Sequence, residues 1–176
     1  MRIIAGKNKG KKLKTFSGTD VRPTSDRARE SLFNILSNKV LGCNFLDLCC
    51  GTGAMGLEAH SRGASKVVFV DSSRESAKLS TENAKSIGLF EQVVVKDAIS
   101  YLKTTSDKFD IIFFDPPYAF SGIETVLNLV KEYSLLKENG VFIYEHDKSL
   151  KTVEVNGFSV VDSRKYGVAV FDFYKE

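Results

Sequence analysis

The chain has 176 residues, of which 43% are hydrophobic and 27% charged, a balance that suits one ordinary globular domain with a sizeable core. Its longest apolar runs, such as Ile111 to Phe114, are far too short to span a bilayer, and the N-terminal MRIIAGKNKGKKLK lacks the apolar segment of an export signal, so a cytoplasmic protein is expected. Net charge is only +3, but Arg2, Lys7, Lys9, Lys11, Lys12, Lys14, Arg22, Arg27 and Arg29 crowd the beginning against Asp20, Asp26 and Glu30, which points to an anionic partner, most simply a phosphate backbone.

RIIAG and KKLKTF, joined by the turn-forming Lys7 to Gly10, read as a short hairpin over residues 2–16. Residues 1–20 are therefore expected to form a basic hairpin extension, and 21–176 the main domain. In VRPTSDRARESLFNIL, Pro23 disfavours helix at Arg22, Thr24 or Ser25 can cap, and Ala28, Leu32, Ile35 and Leu36 recur at helical spacing. This predicts an amphipathic helix over 26–37 with Arg27 and Glu30 outside and Arg29 and Phe33 near the borders.

From Asn44 the chain alternates apolar runs with helical patterns: FLDLC and a helix over 53–62, KVVFVD and 73–87, QVVVKD and 98–104, FDIIFFD and 122–132, then VFIYE. Unbroken apolar strands separated by helices predict a parallel sheet covered on both faces. The final FSVVDSRKYGVAVFDFY departs from this rhythm and reads as a hairpin around Lys165 to Gly167 that closes the sheet with an antiparallel strand. Cys43, Cys49 and Cys50 form no C-x-x-C pair, and His60 and His146 stand alone in the sequence, so no metal site is indicated.

DLCCGTGAMG contains G-x-G-x-x-G at Gly51, Gly53 and Gly56, with Asp71 about 20 residues on. Such a turn lets backbone N–H groups approach a negatively charged ligand group, and a strand-end carboxylate accepts from ribose hydroxyls. NAD and S-adenosylmethionine (SAM) both satisfy that logic. Five parallel βα units ending in a hairpin suit the class I SAM-dependent methyltransferases, with a mostly parallel seven-stranded Rossmann-like sheet; a dehydrogenase would usually need a further substrate domain that this length hardly allows. The deciding stretch is Asp115-Pro116-Pro117-Tyr118, expected at the carboxyl end of the fourth strand, beside the first. An exocyclic amine on a base is a poor nucleophile because its lone pair is delocalised. If the Asp115 carboxylate and the Pro116 carbonyl accept its hydrogens, the nitrogen can pyramidalise toward a methyl group, Pro117 stiffens the loop, and Tyr118 stacks on the base.

This loop matches the [N/D]-P-P-[Y/F] motif of methyltransferases that act on exocyclic amines. Together with RIIAGKNKGKKL, RPTSDRARESLFNIL, DLCCGTGAMGLEAHSRGA and the terminal Tyr166-Gly167, the chain resembles, over nearly its whole length, the RsmD family of bacterial 16S rRNA guanine-N2 methyltransferases. The resemblance implies a SAM site at Asp47, Gly51, Gly53, Asp71 and Asp97, bordered by Arg22, Pro23 and Thr24. It also implies catalysis by Asp115 to Tyr118, and rRNA contact by the lysine-rich hairpin (Lys7, Lys9, Lys11, Lys12). The implied substrate is a guanine of 16S rRNA in the 30S subunit, with ribosomal proteins already assembled on it. Two departures stand out: Cys49-Cys50 where Phe-Ala is common, and Asp71 where Glu is common. A monomer is expected. Glu145, at the end of the fifth strand, either lines the substrate side or is an exposed strand-end carboxylate. Adenine-N6 methylation of DNA or RNA, and a non-catalytic RNA-binding assembly factor, are the alternative readings.

Overall fold

A computed structural model of the protein describes residues 1–16, 25–90 and 93–176. Its centre is a seven-stranded sheet in the order β3-β2-β1-β4-β5-β7-β6, built from β1 (Asn44–Leu48), β2 (Lys66–Asp71), β3 (Val93–Val95), β4 (Phe109–Phe114), β5 (Leu136–Asp147), β6 (Ser159–Tyr166) and β7 (Ala169–Lys175). The first five are mutually parallel, and β7 inserts antiparallel between β5 and β6. The predicted mostly parallel sheet with a closing hairpin is what forms. β5 is longer than VFIYE suggested, because Leu136 already pairs with Phe109 across an irregularity in the β4–β5 ladder.

Five helices accompany the sheet among the described residues: α1 (Asp26–Leu36), α2 (Ala54–Ser61), α3 (Arg74–Ser86), α4 (Ala98–Leu102) and α5 (Ile123–Glu132). Strand alternation divides the core between the two faces. Phe45, Phe69, Ile111, Phe113 and Phe171 pack with α1, α2 and α3 on one side. Leu46, Leu48, Ile112, Phe114, Phe142 and Tyr144 pack with α4 and α5 on the other. Helix starts follow the sequence: Ser25 caps α1 by accepting from the Ala28 N–H at 3.1 Å, and Ser73 caps α3 through the Ser76 N–H at 3.2 Å. No helix among the described residues is long and apolar enough to cross a membrane.

α1 sits rotated from its predicted orientation. Ile35, assigned to the apolar stripe, is 39% exposed, whereas Arg29 and Phe33 are buried. The reason is a buried carboxylate that hydropathy patterning cannot see. Glu58 of α2 is fully buried and accepts from the backbone N–H groups of Ile4 at 2.8 Å and Ala5 at 3.0 Å and from Arg62 Nε at 2.7 Å. Arg29 Nε lies 3.8 Å from it, and the Arg29 guanidinium also donates to the Arg2 carbonyl and, at 2.9 Å, to Asp26. Arg62 in turn lies over the Phe33 ring, 5.2 Å from its centroid.

This network fastens the N-terminal segment to the domain. Residues 1–13 make a hairpin of few bonds: one bridge between Arg2 and Lys12, with Ile3 N–H donating to Lys11 O and Gly10 N–H to Ile3 O. Ile3 and Leu13 enter the same core as Phe45. Gly6 lies against α2 so closely that a Cβ there would fall 1.9 Å from the Ser61 carbonyl oxygen. The other leg is held by Asn83 of α3, which accepts from Lys14 N–H at 2.8 Å and donates to the Lys14 carbonyl at 3.0 Å.

Removing the Glu58 carboxylate takes away the ion partner of the buried Arg29 guanidinium, the acceptor of Arg62 and the acceptor of two backbone amides at once. Glu58→Ala is expected to lose about 3–5 kcal/mol of stability, measured by urea unfolding, with amide exchange at Ile4 and Ala5 accelerated well beyond that of β1.

Candidate active site

Strand register brings the sequence-predicted residues to one edge. Leu48 of β1 lies opposite Val70 of β2 and Phe114 of β4, and Phe114 lies opposite Tyr144 of β5. Cys49, Asp71, Asp115 and Glu145 therefore emerge level with one another at the carboxyl edge of the sheet, where open α/β sheets bind ligands. Backbone bonds carry the pairing one step further: Cys50 N–H to Val70 O at 2.9 Å, Asp115 N–H to Leu48 O at 3.3 Å, and Lys96 N–H to Asp71 O at 3.0 Å.

The turn after β1 is tightly wound. Cys49, Gly51 and Gly53 all have positive φ, at 66°, 52° and 78°, and the cysteine among them stores strain where a glycine would not. The three glycines do different work. A Cβ on Gly51 would meet open space, so that residue forms the lip of the site. On Gly53 it would fall 2.4 Å from Ser80 Oγ, and on Gly56 2.4 Å from the Phe69 ring and 2.8 Å from Val67, so those two let α2 sit close on β2 and α3. No side chain caps α2 at Gly53.

Each carboxylate has a definite place. Asp47 is 1% exposed beneath the turn, its Oδ2 accepting the Gly56 N–H at 2.8 Å. Asp71 accepts the Gly51 N–H on one oxygen and the Ser73 N–H on the other, both at 2.8 Å. Asp97 caps α4 by accepting the Ser100 N–H at 2.9 Å, and Ser100 holds its carboxyl below the usual range. Burial pushes the Cys49 thiol up, and the charges of Asp71, Asp115, Asp47 and Asp97 push it further, so four acids converge on this turn. Burial, then Glu145 and Asp47, raise Asp115 well above an ordinary carboxyl group. Glu145 is 9% exposed, which removes the exposed strand-end reading. Arg22, Pro23 and Thr24 lie outside the described residues.

The Asp115 to Tyr118 loop rests on an aromatic column. Pro116 is buried, Pro117 is exposed, and the Pro117 carbonyl accepts the Phe120 N–H at 2.8 Å. The Phe120 ring meets Phe114 edge-on, with centroids 5.3 Å apart; Phe114 stacks on Tyr144 at 5.9 Å, and Tyr144 on His146 at 4.9 Å. His146 Nε2 lies 3.0 Å from buried Asp172. Burial opposes the imidazolium most strongly, but the bonds to Asp172 and to the Asp147 carbonyl and the charges of both aspartates together outweigh it and raise the His146 pKa. Sequence separation hides this pair, since the two residues meet only through the β5–β7 ladder. Tyr118 stands at 64% exposure at the tip of the loop.

A glycine turn crowded by carboxylates is a poor host for a pyrophosphate and a good one for a ligand that carries positive charge and hydroxyl donors. With the strand order, this defines a class I SAM-dependent methyltransferase fold, and SAM is the expected cofactor. The family model described as "Conserved hypothetical protein 95" matches residues 1–175. The chain is 36% identical to "Putative rRNA methyltransferase YlbH" of Bacillus subtilis, over 100% of its own length and 99% of the relative's. It is 29% identical to the ribosomal RNA small subunit methyltransferase D of Haemophilus influenzae, over 99% and 93% of the two chains. The solved structure titled "Putative methyltransferase yhhF from Escherichia coli" superposes with a TM-score of 0.89 at 30% identity, over 99% of this chain and 96% of that one. The chain belongs to that family, the RsmD family of rRNA methyltransferases.

Asp47 carries a pH signature. Burial raises its carboxyl from 3.8 to about 8, the Gly56 N–H lowers it, and Asp71 raises it again. A carboxyl group raised on folding stabilises the native state fully below its unfolded value, and that contribution is lost as pH rises through the folded value. Stability is expected to fall between about pH 4 and pH 8 on this account, and Asp47→Asn, which can still accept from Gly56, to flatten that fall. Urea midpoints at pH 5 and pH 8 check it.

Proposed function

We propose that the protein methylates the exocyclic N2 amine of a specific guanine in 16S rRNA, with the assembled 30S particle as its substrate and SAM as donor. The observation that carries this reading is the Asp-Pro-Pro-Tyr loop at the carboxyl end of β4, directly beside the glycine turn of β1. The small-subunit name of the Haemophilus relative supports the choice of RNA.

SAM, when bound, supplies a methyl group activated by a sulfonium charge. The lip at Gly51 and the uncapped start of α2 suit its carboxylate. Asp71 retains lone pairs for ribose hydroxyls, because each of its oxygens accepts only one backbone N–H in the bonds described. Asp97 suits the adenine amino group. Asp47 works from below, holding the turn in shape through Gly56. The shortened carboxylate at Asp71 is tied to the Gly51 amide, so the same side chain shapes the lip and meets the ribose.

On the acceptor side, Tyr118 offers its exposed face to a base drawn out of its stack. Asp115 and the Pro116 carbonyl accept the hydrogens of the amine and turn its lone pair toward the methyl group. Positioning of this kind contributes up to about 7–11 kcal/mol when the geometry is good. The aromatic column through Phe114 and Phe120 keeps the loop from yielding. Lys7, Lys9, Lys11 and Lys12 are all exposed on the docked N-terminal hairpin, which presents them as a fixed cationic ridge for phosphates.

Asp115→Ala is expected to lower methyl transfer to 30S particles by about 10²-fold or more while SAM affinity, followed by calorimetry, stays close to the parent's; full activity in that variant contradicts the mechanism. Replacing Lys7, Lys9, Lys11 and Lys12 with Ala is expected to flatten the log–log salt dependence of RNA binding by about 0.7–0.9 for each phosphate left unneutralised. An unchanged slope removes the hairpin from the interface.

A further inference from the structure

Parallel pairing brings two carboxyl-bearing residues to the same level at the carboxyl edge of the sheet. Phe114 and Tyr144 are partners across β4 and β5, so Asp115, the first residue past β4, and Glu145 of β5 come level with one another. Alternation turns Glu145 to the face opposite Tyr144, the same face as Asp47, and Asp115 follows directly on Phe114 at the end of β4. Glu145 is 9% exposed. Among the described residues, the charges acting on Asp115 are those of Glu145 and, less strongly, Asp47. The Tyr144 hydroxyl and the Cys49 thiol lie within the field of Asp115 as well.

We propose that Asp115 and Glu145 hold one proton between them, so that the pair carries a single negative charge and takes up the proton that leaves the amine. The proposal rests on the reading of Asp115 as the acceptor of the amine's hydrogens. Two carboxylates sharing a site do not both ionise. If both were protonated, no oxygen would be left to receive a proton. With one proton held, the Asp115 oxygen directed at the amine stays an acceptor while Glu145 keeps the other oxygen occupied.

The step then balances. A bond forms between the amine nitrogen and the methyl carbon as the carbon–sulfur bond breaks, and that bond's electron pair stays on sulfur, which becomes neutral. The nitrogen, now positive, gives a proton to the carboxyl pair, which becomes neutral in turn. One positive and one negative charge at the start become none at the end, so no net charge is stranded in the buried site. Glu145 is thus a positioning residue that acts through Asp115, and its place on β5 ties proton uptake to the sheet rather than to the mobile substrate.

Carbon-13 NMR of the side-chain carboxyls in labelled protein, titrated without RNA, tests this directly. In the parent protein, Asp115 and Glu145 are expected to titrate in two separated steps; a single step in the ordinary carboxylate range overturns the pair without any variant. Glu145→Gln, which keeps the shape and removes the charge, is expected to move the Asp115 titration to lower pH by about one unit or more. The upper of the two titration steps is expected to be missing in that variant, with SAM affinity unchanged, while Glu145→Asp keeps both steps. Superimposable titrations in the parent and the Gln variant contradict the proposal. A parent protein that methylates no guanine contradicts the functional reading alone, because the NMR titration still decides the pair.

Discussion

Parallel strands whose registers match concentrate the residues at their carboxyl ends, and here those residues are acidic. β1, β2, β4 and β5 deliver Asp71, Asp115 and Glu145 to one edge, with Asp47 beneath it and Asp97 at the start of α4. Like charges at such spacing can coexist only if backbone amides, shared protons or a cationic ligand neutralise them. The amides of Gly51, Gly56, Ser73 and Ser100 supply the first of these. A sulfonium donor such as the expected cofactor would supply the last. The left-handed turn after β1, the packing glycines at 53 and 56 and the uncapped α2 can all be understood as the backbone needed to hold those amides in place.

The second constraint is that a basic arm must be rigid to be read as a surface. Lysines on a loose tail bind phosphate without register, whereas lysines on a docked hairpin fix it. Glu58, Ser61 and Asn83 take up backbone groups of residues 4–14, and Ile3 and Leu13 are buried in the same core as β1. α2 touches both regions: its first turn follows the glycine turn after β1, and Glu58 and Ser61 in its last turn hold the backbone of residues 4–8.

Much of this was legible in the sequence, for identifiable reasons. Apolar runs separated by helical periodicity gave the parallel strands, and a turn at Gly167 between two β-rich runs gave the terminal hairpin. The glycine spacing, Asp71 and Asp-Pro-Pro-Tyr fell where strand ends put them, because motifs tied to strand ends inherit their position from the sheet. Contacts between charged residues distant in the chain could not be read in the same way. Arg29 reads as a border residue of α1, and its full burial depends on Glu58, 29 positions away on another helix. His146 looked solitary until β7 brought Asp172 to it. Glu145 could not be placed between substrate side and solvent until β7 covered its strand. The spacings of Glu58 and Arg62, four apart, and of Asp26 and Arg29, three apart on one helix, carry the local signals of that network.

The central claim is that this site transfers a methyl group to the N2 amine of one guanine in small-subunit RNA. The most direct measurement is to incubate the protein with methyl-labelled SAM and 30S particles from cells that lack the enzyme, beside naked 16S rRNA, and to map the labelled nucleotide. The account predicts a single N2-methylguanine in the particle, formed there in preference to naked RNA. Label on an adenine N6, or none on either RNA, would contradict it.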